Sequence, residues 1–169
     1  MGDATIEAAR DILGDSLDEL RAAIDGCTAE QLNQRPGGDD TNGLAVLATH
    51  ALCSTRSWLS LATGADLPPR DRPAEFRIVV EDVDAFLSWF DATAGECQAL
   101  FDAAGTFDPE LTRVPTWRYV DHDDGEHEPE SAAWALMHAL AHLREHVGHA
   151  QLTRQGRREL NLRSATLPG

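Results

Sequence analysis

Hydrophobic positions recur with a helical period in four stretches of the chain, and turn-forming residues separate them. In the first, from about Ala4 to Asp25, the apolar residues Ile6, Ala9, Leu13, Leu17, Leu20 and Ile24 fall three to four positions apart. At about 100° per residue they make one stripe, which predicts an amphipathic helix stopped by Gly26. Thr28-Ala29-Glu30-Gln31-Leu32 reads as a short helical turn opened by a capping box, and Arg35 to Asp40 as a loop. A second helix is expected from Gly43 to about Thr63, capped by Thr41 or Asn42 and closed by Gly64. It is apolar almost all round (Leu44, Val46, Leu47, Leu52, Trp58, Leu59), so it belongs at the centre of the fold.

Asp66 to Arg77 contains three prolines and reads as a loop. A third helix follows from about Glu81 to Ala104, with Val83, Phe86, Leu87, Phe90, Ala94, Cys97 and Phe101 on its inner face. The period is lost from Gly105 to Glu130, where Leu111 to Val120 suits one extended arm of a small hairpin turning at Asp123-Asp124-Gly125. The last helix is expected from Ser131 to about Arg154 or Gln155, ended by Gly156. The pattern predicts an all-α fold, an antiparallel four-helix bundle with one long, irregular connection between its third and fourth helices. Residues 1–169 are read as a single domain.

Composition narrows the setting. Hydrophobic residues at 42% and charged residues at 25% are ordinary for a globular chain. No apolar run approaches the roughly 18–20 residues of a membrane span, and the start of the chain lacks the basic and apolar stretches of a signal peptide. A cytoplasmic location is expected. A net charge of −15 disfavours nucleic acid and anionic membrane as partners, because both repel an acidic surface. Cys27, Cys53 and Cys97 are widely spaced and odd in number, which suits reduced thiols, each most simply a small core residue.

Histidine changes the picture most. Of the seven, four fall on the last predicted helix: His138, His142, His146 and His149. They project within roughly 80° of one another and line one edge. A solvent-facing polar stripe would explain them. Burying several imidazoles without partners is costly, however, and a metal ion would satisfy them together. His138 and His149 are about 16 Å apart along the axis, so only neighbouring turns can share one ion. That leaves His138/His142, His142/His146 and His146/His149, with His142 in two of the three pairs. A second element must complete such a site. His50, alone in the most apolar helix, is either an ordinary core histidine or a third ligand, and Cys53 one turn on is a candidate fourth. His122 and His127, in an acidic run, read as a solvated turn.

Two sequence pieces resemble the DinB-like (YfiT-like) metal-binding four-helix bundles. The first is Leu32-Asn33-Gln34-Arg35-Pro36, leading through Asn42-Gly43 into the helix that carries Ala48-Thr49-His50-Ala51; the second is His142-x-x-x-His146-x-Gly148. Matched position by position, the resemblance implies a ligand triad of His50, His142 and His146, with His138 a neighbour and His149 a pocket residue. His149 departs from the Gln of many members. Relatives of this kind include thiol-dependent S-transferases using bacillithiol or mycothiol, and a mycothiol-dependent maleylpyruvate isomerase. The resemblance therefore implies a divalent ion, zinc or nickel, and a low-molecular-weight thiol whose thiolate the ion favours.

The expected function is metal-dependent transfer of such a thiol to a small electrophilic substrate, in a protein that forms a homodimer. Trp117 and Arg118 would help wall the pocket, although plain packing explains Trp117 at least as well; Arg154, Arg157, Arg158 and Arg163 would attract a carboxylate or sugar-linked thiol, although offsetting the helix dipole explains Arg154 and Arg157 more simply. Two other readings stay open: metal-assisted hydrolysis, for which Glu145 is badly directed and no HExxH exists, and a non-catalytic, stress-associated metal-binding module with Cys53 closing the site. The residues do not identify a catalytic group.

Overall fold

A computed structural model describes residues 3–66, 70–102, 107–115 and 128–166. The described chain is overwhelmingly helical: α1 (Asp3–Ile24), α2 (Ala29–Asn33), a 3₁₀ turn (Gly38–Asp40), α3 (Leu44–Thr63), α4 (Arg72–Glu75), α5 (Val83–Asp102) and α6 (Ala132–Thr166). The only strands among the described residues, β1 (Thr112–Arg113) and β2 (Glu130–Ser131), form one antiparallel pair. No described helix is long and apolar enough to cross a membrane.

Four long helices carry the predicted periods, three of them with both ends within a few residues of expectation, and their apolar stripes form one core. Leu13, Leu17, Leu20 and Ile24 of α1, Phe90 and Cys97 of α5, and Leu136, Leu143 and Val147 of α6 are all buried. Helix α3 is buried nearly all round, as its composition requires, and packs against α6 more extensively than any other pair of elements. Burial of each such leucine contributes about 1.5–3 kcal/mol, so the α3–α6 seam is a rigid platform.

The ends of α3 are built tightly. Gly43 precedes it, and a Cβ there would come within 2.9–3.0 Å of the carbonyl oxygens of Leu32, Asn33 and Gln34, so only glycine lets the end of α2 pack this closely. Gly64 closes α3 in the left-handed conformation, at φ 79°. Beside it Arg113 Nη1 donates to the carbonyls of Leu61 and Ala62, tying β1 to the open end of the helix.

Two elements differ from the sequence reading. The last helix does not end at Gly156 but continues to Thr166. Gly156 is not in the left-handed conformation, and Arg157 to Ala165 are mostly good helix formers, enough to offset the roughly 1 kcal/mol that an interior glycine costs. The stretch read as a loop with three prolines contains α4. Asp71 caps it by accepting from the Ala74 backbone N–H at 3.0 Å, and Pro73 occupies the first turn, where no N–H is missed. Of the arm expected from Leu111 to Val120, only Thr112–Arg113 is a strand, paired with Glu130–Ser131; residues 116–120 and the expected turn at Asp123-Asp124-Gly125 lie outside the described residues.

The connection carrying α4 is fixed at its far end by Asn33. Its amide donates to the Val80 carbonyl at 2.7 Å and accepts from the Val80 N–H at 2.8 Å, so one side chain imitates a strand neighbour. Replacing Asn33 with Ala leaves both half-buried Val80 groups unpaired. The expected loss is about 1–3 kcal/mol in the unfolding free energy measured with urea. An unchanged midpoint would show that this anchor is dispensable.

Candidate metal centre

His50, His142 and His146 come together where α3 meets α6. One ring nitrogen from each lies within 4.8 Å of the others, a group able to hold a metal ion, and no other such group exists among the described residues. The i,i+4 spacing on α6 stacks His142 and His146 one turn apart, with their Nε2 atoms 3.3 Å from each other. Two nitrogens on a tetrahedral ion with bonds of about 2.0–2.1 Å would sit about 3.3–3.4 Å apart, so this pair already has the edge length of such a site. His50, across the helix seam, places its ring centroid 5.2 Å from that of His142 and 5.0 Å from that of His146.

The electrostatics suit neutral ligands. Burial, then the neighbouring histidines His146, His50 and His138, push His142 down to about 3. Burial and then His50 push His146 down to about 4, against a smaller opposing pull from Glu145. Both imidazoles are therefore neutral at physiological pH, the form in which a ring nitrogen can coordinate. Their Nδ1 atoms are buried without a hydrogen-bond partner among the described residues. A neutral imidazole has one N–H, so the described protein groups leave part of these two rings unsatisfied, and the converging ring nitrogens form a group that could hold a cation.

His50 is held differently. It is 7% exposed, and its Nδ1 lies 2.9 Å from Oε2 of Glu75, itself 5% exposed at the end of α4. Arg70 grips the same carboxylate with two bonds, Nε to Oε1 at 2.6 Å and Nη2 to Oε2 at 2.7 Å. Burial alone would raise the Glu75 pKa, but its hydrogen bonds from Arg70 and His50 prevail and hold it below the ordinary carboxylate value. Arg70 Nη2 also lies 3.3 Å from His50 Nδ1, a proximity of two donors that share one acceptor. An ionised carboxylate only accepts, so Nδ1 of His50 carries the hydrogen of this contact.

The other sequence candidates fall outside this group. His138 is half-buried in an aromatic stack, 4.7 Å from the Trp134 ring and 4.5 Å from Trp58. His149 is exposed, 6.5 Å from the His146 ring. Cys53 does not join the histidines; burial and then the Glu75 charge push its thiol up to about 11, away from the thiolate that metals prefer. Cys27 and Cys97 are free and buried, as small core residues are. Arg154 donates to the Ala22 carbonyl at the end of α1. His122, His127, Trp117 and Arg118 lie outside the described residues, as do the side chains of Arg157, Arg158 and Arg163. Glu75 and Arg70 were missed because they lie in the proline-rich connection; Asp71-Arg72-Pro73, a cap followed by an early proline, is the signal that marks a helix there.

Depressed histidine pKa values make stability depend on pH with a definite sign. Between the ordinary value of 6.5 and the folded values of about 3 and about 4, the unfolded chain binds more protons than the folded one. The contribution is fully present above that window and is lost as pH falls through it. The urea midpoint of chelator-treated protein should fall between about pH 6.5 and pH 4. His142→Gln should make that fall shallower. Parallel pH profiles for the two proteins would contradict neutral burial of His142.

A comparison with curated proteins found no match. A family comparison matched residues 12–150 to the DinB superfamily, a span that includes all three converging histidines. On that match over most of its length, the chain belongs to the DinB superfamily.

Proposed function

We propose that His50, His142 and His146 hold one divalent metal ion, zinc or nickel, and that the protein is a metal-dependent transferase acting through a low-molecular-weight thiol of the mycothiol or bacillithiol type. The observation that carries the metal reading is the convergence of three ring nitrogens within 4.8 Å, two of them on imidazoles kept neutral by burial. Three protein ligands, with Cys53 outside the group, leave a coordination position for an exogenous ligand, the pattern of catalytic rather than structural sites. When bound, the ion would supply the positive charge that lowers a thiol's pKa and makes its thiolate, the better nucleophile, available near neutral pH. The chain's own residues bind and orient. The α3–α6 seam fixes the three rings and excludes water from their inner faces.

This reading includes an antiparallel four-helix bundle as the scaffold. Arg10 meets Asp102 at 2.8 Å and Arg21 meets Asp91 at 2.9 Å, which supports opposite directions for α1 and α5. The thiol limb rests on family resemblance and on the open position. Metal-assisted hydrolysis is the weaker reading, because Glu75, the buried carboxylate beside the group, is already committed to Arg70 and His50, and Glu145 is exposed.

Protein purified without a histidine tag should carry about one equivalent of divalent metal, and His142→Ala should lose it, as elemental analysis would show. No bound metal in the wild type, even after reconstitution, would end the metal reading. With cobalt as the ion, a low-molecular-weight thiol should bring up a sulfur-to-cobalt charge-transfer band in the near ultraviolet. A loaded protein whose spectrum ignores thiols would leave the metal site standing and remove the transferase.

A further inference from the structure

We infer that Glu75 and Arg70 are a positioning pair for the centre: Glu75 locks His50 in the Nδ1–H form and aims Nε2 at His142 and His146, while Arg70 holds the Glu75 carboxylate in place from its other side. The effect on metal affinity rests on the proposal above, whereas the lock on His50 does not.

Free imidazole can carry its proton on either nitrogen, and a ligand must present a lone pair at the correct one. Helices α3 and α6 bring the three rings together but do not choose the nitrogen. The hydrogen bond from Nδ1 to Glu75 Oε2 at 2.9 Å does, since a carboxylate cannot donate. Such a contact also fixes the ring's rotation and raises the basicity of the far nitrogen. Of the three rings only His50 has this support; Nδ1 of His142 and of His146 has no partner among the described residues. The anchoring of the centre is therefore asymmetric and depends on the short helix α4.

A carboxylate at 5% exposure would be expensive to bury without a cationic partner. Arg70, with its side chain 10% exposed, supplies that partner through the two-bond grip at 2.6 and 2.7 Å. The pair is neutral overall, so it orients His50 without cancelling the charge that a bound dication would offer to an anionic ligand. Phe76, the next residue after Glu75, packs its ring 4.8 Å from that of His50 and closes the remaining side. A merely structural clamp between α3 and the α4 connection would contribute stability but would make no claim on the nitrogen.

The deciding experiment reads the tautomer directly. Full-length, metal-free protein labelled with ¹⁵N-histidine would be studied by long-range ¹H–¹⁵N correlation at about pH 8.5, above the ordinary histidine range. The His50 signals would be assigned by their loss in His50→Gln. The wild type should show a protonated Nδ1 and a bare Nε2 at His50. Glu75→Leu should lose that preference, and Glu75→Gln, which keeps an acceptor, should retain it. A wild-type His50 with its proton on Nε2, or the same tautomer in Glu75→Leu, overturns the inference. Zinc affinity, measured by competition with a chromophoric chelator, should fall about 10–100-fold in Glu75→Leu and less in Glu75→Gln. Equal affinity in a folded Glu75→Leu protein also overturns it. Should Glu75→Leu fail to fold, equal zinc affinities in wild type and Glu75→Gln, together with a wild-type Nε2–H signal, overturn it equally. Failure of wild type to bind zinc would strike the metal proposal instead, leaving the tautomer result to stand by itself.

Discussion

His50 sits on a helix buried along almost its whole length, so both nitrogens of its ring have to be satisfied away from water. That requirement organises its surroundings. One nitrogen is met by Glu75, which is itself tolerable in the interior only because Arg70 holds it twice. Presenting Glu75 there requires a helical turn in the connection between α3 and α5, and that turn needs its own cap at Asp71 and an anchor at Asn33. The ring itself faces the α6 histidines, whose Nδ1 atoms carry the same difficulty without a hydrogen-bond partner among the described residues. The three form a polar island in an apolar seam, and a cation is the simplest species that satisfies all of it.

Packing and electrostatics are linked through that seam. Because α3 and α6 are pressed together by leucines and alanines on both sides, the histidine rings lose water, and loss of water keeps His142 and His146 neutral. The same burial pushes the Cys53 thiol up to about 11, and Cys53 stands outside the converging group. Further along α6 the edge changes character: His138 stacks with Trp134 and Trp58 and extends the aromatic wall one turn beyond the centre. Histidines with similar sequence surroundings thus acquire different roles from what faces them across the interface.

Much of this was legible in the sequence because it follows from periodicity. The apolar stripes of α1, α3, α5 and α6 specify which faces meet, and the four-residue step from His142 to His146 puts two rings on one edge. The meeting of His50 with that edge is a tertiary fact; residue spacing alone left several histidine pairs open, and resemblance to a family selected among them. Arg70 and Glu75 were hidden because three prolines dominate their neighbourhood and suggest a loop, whereas Pro73 in the first turn after an Asp cap favours a helix. Gly156 misled in the opposite direction. Glycine stops a helix when the following residues cannot continue it, and those after Gly156 can.

The proposed centre is defined by the identity of the atoms around its metal. X-ray absorption at the zinc edge of the zinc-loaded protein measures that identity directly, through the type and distance of the scattering atoms. Nitrogen or oxygen neighbours at about 2.0–2.1 Å are expected, with the multiple-scattering signature of three imidazoles and no sulfur in the absence of added thiol. A sulfur scatterer at about 2.3 Å, or a shell of oxygens without imidazole scattering, would contradict a three-histidine centre.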